Sequence, residues 1–175
     1  MATTAQAQDL RTYAGANIGS YSLDYGDGSN NAVGLNAFYG ADINENFAAE
    51  IRLGATGAAS KQVDPILTVE SKVDWMISYF AKPQIAVSKG VNLYALLGAT
   101  TMKSTLTVSE TGFNNVALNK TTTDFSYGVG VDTVISNGAA IGVEWVQYAS
   151  SVDLNAPEYP GLDVQGISIS YKQKF

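Results

Sequence analysis

Eight segments of this chain place apolar side chains at every second position, and this feature limits the fold more than any other. The segments span residues 12–23, 33–43, 47–56, 72–85, 91–103, 124–135, 139–149 and 166–175. Successive side chains of a β-strand point to opposite faces, so a period of two predicts strands that separate two environments. No segment of useful length shows the helical period of about 3.6 residues.

The last segment, GISISYKQKF, keeps the pattern up to the final residue. Its apolar face carries Ile167, Ile169, Tyr171 and Phe175, and its other face carries glycine, serine and lysine. Chain ends are usually polar and poorly ordered. We therefore expect this strand to be paired on the sheet, with each face in a different medium.

The connections between the segments alternate in length. Three are short and lie near Asn44–Glu45, at 88–90 and at 136–138, where Asn137-Gly138 is a strong hairpin signal. The others are long and polar, and lie at 24–31, 58–67, 104–123 and 150–162. This rhythm predicts an all-β fold, an eight-stranded antiparallel up-and-down barrel with short turns at one end and long loops at the other.

The direction of the apolar face separates two kinds of barrel. A soluble ligand-binding barrel turns it inward, whereas a transmembrane barrel turns it towards lipid. Most strand glycines lie on the polar face, and small residues there suit a narrow interior. The polar face also carries acidic and basic residues in equal number. The predicted interior charges are Glu50, Asp74, Asp132 and Glu144 with Arg52, Lys82, Lys172 and Lys174. Because buried ions need partners, this balance favours the transmembrane form and an interior ion-pair network.

Aromatic residues on the apolar face are candidates for the membrane interface, where amphipathic rings are favoured. They are Phe47, Trp75, Tyr79, Trp145, Tyr171 and Phe175. The alternative interpretation of each is ordinary apolar surface.

The composition limits the catalytic sites, metal sites and partners that the chain can have. The chain has 175 residues with no cysteine and no histidine, so disulfides, thiolate metal sites and the commonest general base are absent. The net charge of −6 argues against nucleic acid as a partner. No apolar run reaches the roughly 18 residues of a spanning helix. The DYGDGSNN stretch at 24–31 has oxygen ligands that suit calcium, but a plain turn is the simpler reading. We expect no metal and no cofactor.

The first residues contain Ala5-Gln6-Ala7, a small-residue pattern typical of export-signal cleavage sites. One interpretation is an exported protein whose signal peptide was removed and whose initiator methionine was added, and the other is an ordinary disordered start. Either way we divide the chain into a flexible segment or expression remnant at 1–11 and a barrel at 12–175.

Several short stretches resemble the OmpA/OmpX-like family of eight-stranded outer-membrane barrels of Gram-negative bacteria. They are TYAGANIGSYS at 12–22, FYGADINENFAAEIRLG at 38–54, VNLYALLGA at 91–99, YGVGVD at 127–132, GVEWVQY at 142–148 and the aromatic-ended last strand. The resemblance implies short periplasmic turns, extracellular loops, an outer-membrane location and interior acids at Glu50 and Asp132. It departs at Gln173, where the family often has an aromatic or apolar residue.

Members of that family serve as structural proteins, adhesins or narrow porin-like channels. Barrel proteases and palmitoyl transferases of the outer membrane rely on histidine, so we expect no enzyme here. The hypothesis is a non-catalytic monomer that acts in envelope structure or adhesion-like surface contact through its loops. Its partners would be outer-membrane lipid, lipopolysaccharide and a host or cell-surface ligand. A narrow ion or solute channel is the alternative, and a soluble ligand-binding barrel is a third possibility.

Overall fold

Nine β-strands make up the fold. The computed structural model describes residues 11–25, 28–110, 112, 115–152 and 162–175. The strands are β1 (Arg11–Tyr25), β2 (Gly28–Asn44), β3 (Phe47–Thr56), β4 (Ala59–Asp64), β5 (Leu67–Ser88), β6 (Val91–Glu110), β7 (Val116–Ser136), β8 (Ala139–Val152) and β9 (Leu162–Lys174). Residues 1–10 of the suggested flexible start, with the Ala5-Gln6-Ala7 pattern, lie outside the described residues, and Arg11 is the first residue of β1.

The strands form one antiparallel sheet that closes on itself. Its order is β3-β2-β1-β9-β8-β7-β6-β5-β4, and β3 also pairs with β5, which completes the ring. The first strand pairs with the last, so Ile18 lies opposite Ile169, and the Phe175 amide donates to the Thr12 carbonyl oxygen at 3.0 Å. The expectation that the last strand is paired is confirmed.

Eight positions around the ring hold the nine strands, because β3 and β4 follow one another along the same edge of β5. Gly54 pairs with Met76 and Ala59 pairs with Ser71, so the register is unchanged across the gap. Within the gap the Val73 amide donates to Thr56 Oγ1 at 2.9 Å in place of a backbone bond. The predicted eight-stranded up-and-down barrel is therefore confirmed, with one of its strands interrupted.

The faces of the barrel have the orientation of a transmembrane barrel. Ile169 and Val143 are 63% and 50% exposed on the outside, whereas Glu144 and Lys172 are 3% and 6% exposed on the inside. The outer surface carries apolar side chains and the ion pairs of Arg52 and Asp132 are enclosed, which is the reverse of a soluble ligand-binding barrel.

The two ends of the barrel differ. At one, called the turn end below, two-residue turns at 45–46, 89–90 and 137–138 join the strands. Gly90 and Gly138 have φ of 83° and 80°, values that glycine adopts without strain. The opposite end, called the hairpin end below, carries the connections from β1 to β2, β4 to β5, β6 to β7 and β8 to β9.

Long strands replace most of the loops predicted at the hairpin end. Residues 28–31, 59–64 and 104–110 are strand, as are residues 116–123, and Pro65–Ile66 is the turn between β4 and β5. These stretches are rich in threonine, serine and valine, which fit a pleated strand. Residues 153–161 of the fourth predicted loop lie outside the described residues.

The interior has two layers. Towards the hairpin end it is an apolar core that includes Leu23, Val73, Met102, Leu106 and Val164, each at most 4% exposed. Nearer the turn end it is polar and contains three carboxylates and three cations, all buried among the described residues. No helix in the described part of the chain is long and apolar enough to cross a membrane.

Candidate functional site

A buried ion-pair network lies inside the polar layer, and Arg52 is at its centre. Glu50 and Arg52 both point inward because they are two positions apart on β3, and Glu144 reaches them from β8. Arg52 Nε lies 2.6 Å from Glu50 Oε1. Its two terminal nitrogens bind Glu144, with Nη2 at 3.0 Å from Oε2 and Nη1 on Oε1. This two-point contact is the strongest geometry for an arginine and a carboxylate.

The second carboxylate oxygen of Glu50 also has partners. Lys82 Nζ lies 3.3 Å from Glu50 Oε2, and the Tyr13 hydroxyl donates to the same oxygen at 2.9 Å. Glu50 therefore has two cationic partners and one neutral donor. A buried carboxylate is tolerated only with such compensation.

Three neutral donors complete the shell of Glu144. The Tyr94 hydroxyl donates to Oε2 at 3.0 Å, Asn17 Nδ2 donates to Oε1 at 2.9 Å and Ser168 Oγ donates to Oε1 at 3.3 Å. Arg52 is the only cation in contact with Glu144 among the described residues. The two carboxylates thus depend on Arg52 to different degrees.

Aromatic rings surround the buried cations. The Arg52 guanidinium carbon lies 5.1 Å from the Phe80 ring centroid and 5.6 Å from that of Phe38. Lys82 Nζ lies 3.9 Å from the centroid of Tyr94. The electron-rich faces of these rings stabilise cations that have lost most of their water.

Asp132 and Lys172 form a second, separate ion pair. Lys172 Nζ lies 2.6 Å from Asp132 Oδ2, and Asn92 Nδ2 donates to Asp132 Oδ1 at 3.1 Å. Among described residues neither Asp132 nor Lys172 is bonded to Glu50, Arg52 or Glu144. The predicted network is thus two groups rather than one.

Asp74 was predicted in the interior and lies outside it. The β5–β6 register shifts between Val73 and Trp75, which turns Val73 inward and leaves Asp74 and Trp75 on the outer side. Asp74 binds Lys72 Nζ at 2.9 Å and accepts a bond from Thr105 Oγ1 at 2.6 Å. A β-bulge of this kind reverses the alternation on one side of itself. A regular period of two would put Val73 on the apolar outer face with Trp75, whereas Val73 is in the core.

Lys174 was predicted inside and lies at the rim of the turn end. Its Nζ lies 2.6 Å from Asp42 Oδ2, and its side chain is about one-third exposed. The pair is therefore partly solvated and separate from the buried cations.

The predicted interface aromatics all lie on the outer surface. Phe47, Trp75, Tyr79, Tyr171 and Phe175 are exposed, and Trp145 is half-buried. Trp145 packs edge-on against Tyr127 with ring centroids 5.8 Å apart, and Tyr127 stacks on Phe125 at 6.1 Å. Near the turn end, Phe175 approaches Tyr39 at 6.5 Å.

The two aromatic groups lie on either side of an apolar part of the outer surface. Trp145 pairs with Ile167, and Phe175 follows Ile167 by eight positions. Eight strand residues span ~27 Å, or ~20 Å along the axis of a barrel whose strands tilt by ~40°. The outer side chains between them are mainly Ile, Val, Leu and Ala. The apolar band of an outer-membrane barrel is about 25 Å tall.

Reasoning from sequence missed the tyrosines and asparagines that support the ion pairs. Tyr13, Asn17 and Tyr94 were on the inward phase of their strands, so the period of two was the signal that could have identified them. The described residues contain no group of three or more histidine, cysteine, aspartate or glutamate side chains placed to hold a metal ion. The arrangement holds strands together by charge and hydrogen bonding.

Comparison with known proteins agrees with this architecture. The outer membrane protein beta-barrel domain family matches residues 1–175. No curated protein matches the chain.

Among solved structures, Ail, the attachment invasion locus protein of Yersinia pestis, is 17% identical with a TM-score of 0.62. The match covers 96% of this chain and all of Ail. Neisserial surface protein A is 14% identical with a TM-score of 0.62, covering 94% and 97% of the two chains. OprG of Pseudomonas aeruginosa is 11% identical with a TM-score of 0.56, covering 95% of each.

At these sequence identities the structural similarity shows the fold alone, whereas the family match shows the class of protein. The resemblance inferred from the short sequence stretches is confirmed. This chain belongs to the outer membrane protein beta-barrel domain family, and its location is the outer membrane of a Gram-negative bacterium.

Proposed function

We propose that this barrel is a non-catalytic surface protein that presents its hairpin end to a host or cell-surface ligand. The observation that carries the proposal is the length of the strands there. β5, β6 and β7 have 22, 20 and 21 residues, about twice the 9–11 that cross a membrane. The extra residues of these strands extend beyond the aromatic group of Phe125, Tyr127 and Trp145, where a binding partner in water can reach them.

The rigidity of the hairpin end supports this role. An apolar core that includes Leu23, Val69, Leu106 and Leu162 fills the interior beyond the membrane band. Extended hairpins held by their own core offer a preformed surface, and preformed surfaces lose less entropy on binding than mobile loops. We infer that the hairpin end faces the outside and the turn end faces the periplasm.

The same core argues against the alternative of a narrow channel. An ion would have to pass the buried charges and then a layer of Val73, Met76, Met102 and Val164, each at most 1% exposed. An apolar layer without water is a barrier to ions. We therefore infer a structural role for the ion pairs and a closed body for the barrel.

The charge of the chain limits the class of partner. Ail was solved in complex with the heparin analogue sucrose octasulfate. This chain has a net charge of −6, so we infer a neutral or cationic cell-surface partner rather than a polyanion. We also propose that the barrel is a monomer, with Phe47, Trp75, Tyr79, Trp145, Tyr171 and Phe175 anchoring it in lipid.

Shortening one hairpin tests the proposal. Ser104 and Lys120 are cross-strand partners, so replacing residues 105–119 with Asn-Gly keeps the β6–β7 register and removes the projecting part. We expect the variant to retain the heat-dependent gel mobility of a folded barrel, and bacteria displaying it to bind cultured host cells less than wild type. Unchanged cell binding by a folded variant would count against a surface role for this hairpin.

Planar-bilayer recording tests the closed body. The purified wild-type barrel should give no defined single-channel steps. Reproducible steps from pure protein would instead establish the channel function.

A further inference from the structure

The bulge in β5 creates a cationic strip on the outer surface, just beyond the membrane band. Because the register shifts between Val73 and Trp75, Asp74 and Trp75 lie on the outer side, with Lys103 opposite Trp75. Lys72 lies one outward position beyond Asp74, opposite Thr105. The strip comprises Lys72, Asp74, Trp75, Lys103 and Thr105.

The single carboxylate of the strip, that of Asp74, already has two partners within the strip. Asp74 accepts one bond from Lys72 Nζ at 2.9 Å and another from Thr105 Oγ1 at 2.6 Å. Lys103 has no carboxylate within 4.0 Å in the part of the chain that the structure describes. Glu70, the next acid along β5, accepts a bond from Ser60 at 3.2 Å. Lys103 is therefore the one ammonium group of the strip that forms no ion pair among the described residues, and it lies beside the exposed indole of Trp75. The Asp74 carboxylate acts on Lys103 electrostatically but bonds Lys72 and Thr105 instead.

The position of the strip indicates which anion it meets. Trp75 is the outermost aromatic side chain of β5 at the hairpin end, and amphipathic rings of this kind lie at the level of lipid headgroups. Lys103 and Lys72 project sideways at or just beyond that level. A cation there faces headgroup phosphates rather than a partner in solution.

The charge on the rest of this rim differs. On the β1–β9 side, Asp24 and Asp163 are cross-strand partners at the hairpin end. The two lysines of the strip are on neighbouring strands, β5 and β6. The rim is thus acidic on the β1–β9 side, whereas on the β5–β6 side Lys72 and Lys103 balance Asp74 and Glu70, so an anionic headgroup has its preferred place at the lysines.

We propose that the strip binds a phosphate of a phosphorylated glycolipid in the surrounding leaflet, with Lys103 as the primary contact and Lys72 as the second. Trp75 packs against the sugar or upper acyl region below the phosphate. The assignment of this lipid to the outer leaflet rests on the proposed function, which turns the hairpin end outward. The contact itself depends only on the strip lying at headgroup level.

Quenching of tryptophan fluorescence tests the proposal in the folded barrel. The chain has two tryptophans, so Trp145→Phe leaves Trp75 as the sole reporter. This single-tryptophan barrel would be placed in phosphatidylcholine nanodiscs that contain spin-labelled bisphosphorylated lipid A. Preferential quenching of Trp75, relative to spin-labelled phosphatidylcholine, measures the local enrichment of the phosphorylated glycolipid.

We expect enrichment in the parent and a loss of about fivefold for Lys103→Gln, because a lysine near an anionic surface contributes a factor of that size. Lys72→Gln/Lys103→Gln should remove the preference. Lys89→Gln, the matched charge change in a turn at the opposite end, should leave it unchanged. Dephosphorylated lipid A should show no preference.

Two results would overturn the proposal: no enrichment in the parent, or an equal loss in Lys89→Gln and Lys103→Gln. Neither result depends on the host-cell assay above, because nanodiscs contain the lipid on both faces. A barrel that lacks cell-surface binding and keeps the lipid preference would overturn the surface role alone.

Discussion

Removal of Arg52 should destabilise the barrel more than any other single loss of charge in the polar layer. In Arg52→Met the carboxylate of Glu50 keeps Lys82 and Tyr13. Glu144 loses its only cation among the described residues and keeps the neutral donors Tyr94, Asn17 and Ser168. A buried charge left without its partner costs about 3–5 kcal/mol.

A second variant isolates the cause. Arg52→Met/Glu144→Gln also removes the negative charge of Glu144 that has lost its cation, while Glu50 keeps Lys82 as a partner. Replacing a whole buried ion pair is often close to neutral, so the double variant should lie within about 2 kcal/mol of wild type. The single variant should therefore be less stable than the double variant, although it carries fewer changes.

The assay is reversible urea unfolding in lipid vesicles, followed by tryptophan fluorescence. Lys174→Met is the control, because its pair with Asp42 is partly exposed and such pairs contribute about 0–1 kcal/mol. The reasoning is refuted if Arg52→Met loses no more than the control. It is also refuted if the double variant is as unstable as the single one.

Three further predictions concern the wall of the barrel. Gly40→Ala places a Cβ where the Tyr13 ring lies, and should lower the unfolding free energy by about 1–3 kcal/mol in the same assay. Val143→Arg puts a charge on the lipid face within the apolar band, and should lower it by about 2–4 kcal/mol in vesicles. Thr56→Val removes the hydroxyl that accepts the Val73 amide at the break between β3 and β4, and should lower it by about 1–3 kcal/mol.

Each of these predictions has a contrary outcome. A Gly40→Ala barrel as stable as wild type would mean that the Tyr13 ring moves aside freely. Equal losses for Val143→Arg and for Thr121→Arg, which lies beyond the aromatic group, would contradict a membrane boundary between them. A neutral Thr56→Val variant would mean that the Val73 amide finds another acceptor.

The faces of most strands followed from the period of two. Where alternation is regular, as on β3 and on β9 as far as Lys172, the side chains lie on the expected sides, and only Lys174 at the end of β9 departs, because it lies at the rim. Ile51 and Ile169 face outward, and Glu50 and Lys172 face inward. This works because a strand fixes the direction of each side chain relative to its neighbour, whatever the partner strand.

The hairpin end could not be predicted in the same way. Residues 104–110 and 116–123 extend beyond the membrane band, where polar residues such as Thr105 and Asn119 occupy the outer face and Leu106 and Val108 face the core. The apolar positions there are few and face inward, which is the reverse of the membrane band, so strands there looked like polar loops. Their strand structure depends on cross-strand pairing, such as Thr105 with Asn119, which a local pattern does not contain.

The sequence alone predicted a closed barrel and favoured an apolar outside with compensated charges inside, because alternation and charge balance are properties of order along the chain. The tertiary structure decided which charges meet. Arg52 reaches Glu144 across the interior, Asp132 pairs with Lys172 apart from them, and a single bulge moves Asp74 to the outer surface. The physical reason is that register and bulges set the side chains opposite each other, and these depend on the pairing of strands far apart in sequence.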